Sequence, residues 1–234
     1  MTTKEFSTLD RPRSGGRHYI LYLIRRQLQV FITRYLAARD DLVLVDYGCG
    51  DRPYQVLFKD CVAQYTGADL PMNAQADVHL DERGALPLAD GSADVVLSTQ
   101  VLEHVLKPEF YLAEVNRVLK PGGMLLLSTH GYWMFHPHPT DFWRWTSQGL
   151  RHIVTEQGFV IEDFEGLMGL APTGLHLFQD GLTRSQRFPA WLKPGFYWVM
   201  QWVIQLLDWM SSAKNTRQDA AVYMLVARKP DVAV

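Results

Sequence analysis

The segment Leu42-Val-Leu-Val-Asp-Tyr-Gly-Cys-Gly50 constrains this chain more than any other. Its aliphatic, β-branched start predicts a buried strand, and that strand passes straight into a turn of small residues. An acid, Asp69, stands at the end of the next apolar run. This pattern suits an α/β fold that holds the adenosine half of a cofactor. Glycines let the backbone approach the ligand, the following helix offers its amides, and the later carboxylate reaches the ribose hydroxyls. Alone, the pattern implies a nucleoside-type cofactor and nothing narrower.

Hydrophobic periodicity extends the α/β reading along the chain. Residues 17–39 are predicted helical, with Ile20, Ile24, Leu28, Phe31 and Tyr35 recurring on one face. Strands are predicted at 42–46, 64–69, 77–80, 94–99 and 124–129, the last apolar enough for a central parallel strand. Glu103 and His104 are expected to open the helical stretch after the fourth strand. A helix at 109–119 is expected to stop at Lys120-Pro-Gly-Gly123. Beyond a loop at 131–145 come a helix at 147–157, a strand at 159–164, a long insertion and a last strand at 221–227. The sum is a doubly wound, mostly parallel, seven-stranded sheet. Residues 1–40 form a polar tail and a basic amphipathic helix. Residues 41–234 form the α/β domain, with an aromatic-rich helical insertion at about 171–218.

Composition excludes several classes. At 47% apolar and 21% charged, 234 residues supply one ordinary core. A net charge of −2 gives no general affinity for nucleic acid, so no nucleic-acid partner is expected. Charge is uneven, however: from Arg11 to Arg39 there are seven arginines and no acid, so this end can meet an anionic surface. Cys49 and Cys61 suit a reducing compartment and form no disulfide framework or zinc spacing. Residues 1–14 are polar and lack the apolar core of a secretory signal, so a cytoplasmic location is expected.

The turn Gly48-Cys-Gly50-Asp-Arg-Pro53 departs from the dinucleotide fingerprint, which wants a third glycine where Pro53 stands. No Tyr-x-x-x-Lys spacing is present either, and both points argue against a nicotinamide cofactor. The run V-D-Y-G-C-G, then A-D-L, then L-P-L-A-D-G-S-A-D-V-V-L-S-T-Q-V-L-E-H-V, then L-K-P-G-G-M-L-L-L-S resembles the class I S-adenosylmethionine-dependent methyltransferases. Order and spacing agree over roughly residues 42–128. A further segment, S-T-H-G-Y-W-M-F-H-P-H-P-T-D-F-W-R-W-T, resembles bacterial methyltransferases of the type 11-like group associated with glycan and envelope-polymer biosynthesis.

The resemblance implies roles for particular residues. Asp46, Gly48, Cys49 and Gly50 would form the turn that holds S-adenosylmethionine. Asp69 would take the ribose hydroxyls with Leu70 beside it, and Asp81 (or Glu82) would lie near the adenine. Ser98, Thr99 and Gln100 would face the methionine part and the methyl group.

Loop 131–145 follows a central strand, where ligands bind in open α/β sheets. It carries His136, His138, Asp141 and Arg144 among several aromatic residues. We expect a lid over cofactor and acceptor, with Trp133, Trp143 and Arg144 meeting the acceptor, although Arg144 could equally pair with Asp141. The candidate general bases, in order, are His136, His138, Asp141 and His104. The paired histidines also raise a metal site, but matched further ligands are lacking and none is assigned.

All seven tryptophans lie between Trp133 and Trp209, and the stretch 196–207 is nearly all apolar. It is shorter than the ~20 residues that span a bilayer. It reads either as a helix closing the pocket or a homodimer, or as an element resting on a membrane interface. The reading as a whole is a cytoplasmic methyltransferase acting on a small-molecule, glycan or lipid-linked acceptor at oxygen, with contact at the inner face of the membrane as the sharper alternative. Two alternatives stand: a cofactor-binding scaffold or sensor without catalysis, and an NAD(P)-dependent oxidoreductase.

Overall fold

The apolar runs become a single twisted sheet. The computed structural model describes residues 16–231, so the expected polar tail lies almost wholly outside the described residues. The strands are β1 (Leu42–Tyr47), β2 (Val62–Asp69), β3 (Val78–His79), β4 (Ala93–Thr99), β5 (Leu119–His130), β6 (Val160–Gly169) and β7 (Ala220–Arg228). Their order is β3-β2-β1-β4-β5-β7-β6. From β3 to β5 neighbours are parallel, whereas β7 runs antiparallel to both β5 and β6.

Strand alternation divides the core into two layers. Leu44, Val95, Leu97 and Leu126 face α1 (His18–Tyr35), which buries Ile20, Ile24, Leu28 and Phe31 against them. Val45, Val96, Leu125 and Leu225 face the other way, onto α2 (Pro108–Val118) and α3 (Ser147–Glu156) through Leu112, Val115, Leu150 and Val154. Each such side chain contributes about 1.5–3 kcal/mol by leaving water. The insertion supplies α4 (Leu170–Thr183), α5 (Lys193–Trp209) and α6 (Ala213–Gln218) before β7.

Three local expectations need correction. The glycine turn is followed not by an α-helix but by one 3-10 turn, Gln55–Phe58. Arg52 adopts a left-handed φ of 52°, which breaks the backbone path a helix would need directly after the glycines. Glu103 and His104 lie in a second 3-10 turn, Leu102–His104, and α2 starts only at Pro108, a residue suited to a first helical position. Finally, Lys120-Pro-Gly-Gly123 belongs to β5. The Gly122 amide donates to Lys229 O and the Lys229 amide to Gly123 O, both at 2.9 Å, which ties this corner to the end of β7.

Candidate active site

The chain leaves β1 toward β2 on one side and returns from β3 to β4 on the other, and the crevice this leaves at the strands' carboxyl ends is where an open α/β sheet binds ligands. A cleft of about 1350 Å³ occupies it. Of the expected site residues, Gly48, Cys49, Gly50, Asp69, Leu70, Asp81, Thr99, Gln100, His104, His136 and His138 line this cleft. A single drug-sized ligand fills roughly 300–1,000 Å³, so cofactor and acceptor have room together.

Gly48 and Gly50 have different work. Gly48 has φ +86° and a Cβ there would stand 2.5 Å from Val101 Cγ2, so it is required by packing. At Gly50, with φ +50°, a Cβ would meet nothing within 4 Å, because the turn faces the open cleft. The Gly50 amide donates to Asp69 Oδ2 at 2.9 Å, and Asn73 Nδ2 donates to the same oxygen at 2.8 Å. Asp69 Oδ1 accepts from the Leu70 amide at 2.7 Å. A carboxylate oriented by these donors at the lip of a cleft fits a ribose hydroxyl, since Oδ1 keeps a further lone pair. Burial pushes the Cys49 thiol up to about 11, so it stays protonated as a small filler beneath the turn.

Gln100 directly follows β4 with φ +58°, a conformation uncommon outside glycine. Its amide donates to Ser128 O at 2.9 Å and its Nε2 to Ser128 Oγ at 3.0 Å, so β5 holds it in place. Asp81 Oδ1 accepts from the amides of Arg83 and Ala85, both at 2.8 Å, and these bonds hold its carboxyl below the usual range.

Two expected cofactor residues do not reach the cleft. Asp46 is buried on the α1 face, where Tyr65 donates its hydroxyl to Oδ2 and Oδ1 has no partner. Burial pushes its carboxyl up to about 7. Ser98 is buried behind Tyr111, which donates to Ser98 Oγ at 2.8 Å and stacks on Tyr47 at 4.1 Å between ring centroids. Both residues support the cleft wall from behind.

The loop after β5 separates into a clasp and a lining. Arg144 bonds both oxygens of Asp141 at 2.6 Å and also donates to the carbonyls of Trp133, Met134 and Trp143. Asp141 accepts in addition from the His136 amide at 2.7 Å, and the guanidinium holds its carboxyl down at about 2. These two side chains are therefore spent on folding the loop, and neither lines the cleft. Trp133 is stacked between His130 and His176, at 5.0 and 4.9 Å between centroids, on the α1 side of the sheet. Trp143 donates Nε1 to Val105 O at 2.8 Å. Neither tryptophan lines the cleft.

The three cleft histidines differ. Burial, followed by the charge of Arg17, holds His136 at about 4. His104 is also shifted down, mainly by burial. Its Nδ1 contacts the carbonyl oxygen of Thr140, which can only accept, so the ring carries its proton on Nδ1 and a lone pair on Nε2. His138 stacks edge-on against His136 at 4.6 Å. Among the described residues no group of three or more His, Cys, Asp or Glu is placed to hold a metal ion.

Sequence reasoning missed two structural members. Arg52 reaches Asp77 Oδ1 at 2.8 Å and Gln75 O, bracing the glycine turn against the β2–β3 connection. Glu103, fully buried, accepts from Thr129 Oγ1 at 2.8 Å and has its Oε1 3.2 Å from His130 Nδ1, while its carbonyl accepts from the amides of Phe142 and Trp143. Burial pushes Glu103 up to about 7 and His130 down to about 2, so the imidazole is neutral and the carboxyl holds its proton well above the usual carboxylate range. An acid next to an apolar strand end was visible in the sequence; its burial was not.

The sheet order, the antiparallel β7 and the carboxylate-tipped β2 beside a glycine turn define a Rossmann-like domain of the class I methyltransferase type. The model of the methyltransferase domain family matches residues 17–171, and the chain belongs to that family, carrying an S-adenosylmethionine-dependent methyltransferase domain. The ubiquinone biosynthesis O-methyltransferase of Maricaulis maris is 28% identical over 206 residues, 82% of this chain and 73% of that protein. The probable S-adenosylmethionine-dependent methyltransferase of Mycolicibacterium smegmatis is 29% identical over 163 residues, and the chain spans 62% of that relative's length. Two solved structures share the fold. The cyclase SpnF has a TM-score of 0.59 at 22% identity, covering 92% of this chain and 84% of that one. Haemonchus contortus phosphoethanolamine N-methyltransferase 2 with S-adenosyl-L-methionine has a TM-score of 0.53 at 17% identity, covering 98% and 60%.

Proposed function

We propose that the protein methylates a hydroxyl of an acceptor held in the outer part of the cleft, and that His104 takes the acceptor's proton. The observation that carries this is the fixed tautomer of His104, a cleft residue with its proton committed to Thr140 and a lone pair on Nε2. When bound, S-adenosylmethionine supplies a methyl group already activated on a sulfonium. Gly50, Asp69 and Asp81 would hold it, and Gln100 would stand at the methyl-bearing end.

The chain then has two tasks. Phe142, Pro139 and His136 roof the cleft and exclude water, which preserves alignment of the acceptor. As the new carbon–oxygen bond forms and the carbon–sulfur bond breaks, the hydroxyl proton passes to Nε2 of His104. Such a base is worth about 10²–10⁴ in rate.

For the acceptor, the likeness of residues 128–146 to the envelope-polymer group favours a glycan or lipid-linked sugar hydroxyl. Similarity to an O-methyltransferase named for ubiquinone biosynthesis supports oxygen as the acceptor atom and a quinone-type small molecule as the second candidate. The test is formation of S-adenosylhomocysteine with sugar-phosphate, lipid-linked sugar and quinol acceptors, alongside calorimetric binding of S-adenosylhomocysteine. Turnover with one acceptor class supports the proposal. Tight binding with no turnover on any acceptor would favour the non-catalytic scaffold, and binding of NAD instead would overturn the cofactor reading.

A further inference from the structure

Helix α4 is amphipathic the wrong way round for a water-facing surface, and α5 carries more apolar residues than its buried side can hide. The side of α4 turned to the protein is mostly polar, for Thr173, His176, Gln179, Asp180 and Thr183 are buried, whereas α5 buries Gln201 between Met200 and Ile204. Gln201 accepts from the Tyr19 amide at 3.0 Å and donates to Gly16 O at 2.9 Å and Gln179 Oε1 at 3.0 Å. The sides turned outward are apolar. On α5, Trp198, Val199, Trp202, Leu206 and Trp209 are each more than half exposed, as is Met210 just beyond its end. On α4, Leu170 and Phe178 are exposed to a similar degree. Contiguous exposed apolar faces of this kind mark a contact with an apolar partner.

Charge selects the partner. The two acids of the insertion point inward: Asp180 is buried, and Asp208 accepts from Tyr19 Oη at 2.7 Å and from the Gly169 amide at 3.0 Å. The remaining charged residues of the insertion are all basic, and Arg184, Arg187, Lys193 and Lys214 form the rim, while Arg217 is paired with Glu165. In a two-fold dimer through this face, the patch meets itself and its basic rim meets another basic rim. An anionic bilayer offers both an apolar layer for the tryptophans and counter-charge for the rim. No helix among the described residues is long and apolar enough to cross a membrane, so the contact is interfacial.

We propose that the outer face of α4 and α5 docks the protein on the surface of an anionic lipid bilayer. The platform adjoins the cleft's roof, for Arg184 donates to the carbonyl of Phe135 at 3.3 Å. The inference stands independently of which acceptor is methylated.

The test is flotation of the full chain with phosphatidylcholine vesicles, with and without phosphatidylglycerol, alongside analytical ultracentrifugation without lipid. The expected result is binding to the phosphatidylglycerol vesicles that weakens with salt and is poor on phosphatidylcholine alone. Trp198→Glu, and separately the pair Arg187→Glu with Lys193→Glu, should each weaken partition about tenfold or more. Both variants should keep the thermal shift given by S-adenosylhomocysteine, which shows that the fold persists. The charge pair, lying on the surface, serves if Trp198→Glu fails to fold. Absence of flotation by the unaltered chain overturns the proposal. A dimer dissolved by Trp198→Glu, without flotation, would reassign the face to contact between copies.

Discussion

His104 and Thr140 are bonded twice: the imidazole Nδ1 donates to the Thr140 carbonyl, and Thr140 Oγ1 donates to the His104 carbonyl at 2.9 Å. The pair joins the turn after β4 to the loop after β5 across the mouth of the cleft. It orients the ring and closes the roof with the same contact.

Replacing His104 by Ala should therefore lower kcat by about 10²–10⁴ while S-adenosylhomocysteine affinity changes little. Because burial holds His104 below its ordinary value of 6.5, kcat/KM should rise with pH through a value under 6.5 and level off before neutrality. Steady-state rates against pH, paired with calorimetry, check both statements. A profile rising only above neutrality would assign the base elsewhere.

Asp69→Ala should weaken S-adenosylhomocysteine binding by about 10–100-fold, the worth of losing hydrogen bonds to a charged group at roughly 1.5–3 kcal/mol. Part of the loss comes from the Gly50 and Asn73 donors left without their acceptor. Isothermal titration measures it.

The two glycines of the turn should fail differently. Gly48→Ala drives a methyl group into Val101 and should cost about 1–3 kcal/mol of stability. Gly50→Ala has open space, so strain at its positive φ should cost only about 1–2 kcal/mol, with the added methyl group intruding on the cofactor side. Urea unfolding separates the first effect, and cofactor titration the second.

Arg144→Lys keeps the charge but loses the fork on Asp141. We expect faster amide exchange across residues 131–145 and about 1–3 kcal/mol less stability. KM for the acceptor should rise more than kcat falls, since the residue folds the loop and does not line the cleft. Hydrogen exchange and kinetics read the two parts.

Asp46 gives a pH signature. Its folded-state value of about 7 lies above the ordinary 3.8, so the folded state binds the proton more tightly than the unfolded chain. Its contribution to stability is full below the ordinary value and is lost as pH rises through the range up to about 7, by roughly 4 kcal/mol at about 1.4 per unit. Glu103 slopes the same way, so Asp46→Asn should remove only the Asp46 share. The difference between the two unfolding curves over this range measures it; identical slopes would mean that Asp46 is ionised in the fold.

The strands were legible because burial on two faces demands unbroken apolar runs, and such runs are local facts of composition. The glycine turn and Asp69 were legible for a related reason: close backbone approach needs glycine, and a strand end places a carboxylate at the cleft. The helix expected after the turn is a 3-10 turn instead, since Arg52 takes a left-handed conformation that no local residue pattern announces. Asp46 and Ser98 sit within readable strands, yet their neighbours Tyr65 and Tyr111 come from other segments and cover them.

The sequence by itself determined the α/β sheet, the cofactor turn and the tryptophan-rich insertion, because periodicity, glycine geometry and residue type act over a few residues. Only the tertiary structure decided that Arg144 is consumed by Asp141, that His104 is held by Thr140, and that α5 turns its tryptophans outward. Those outcomes depend on which side chains long-range packing brings within about 3 Å of each other, the distance at which a hydrogen bond forms or fails.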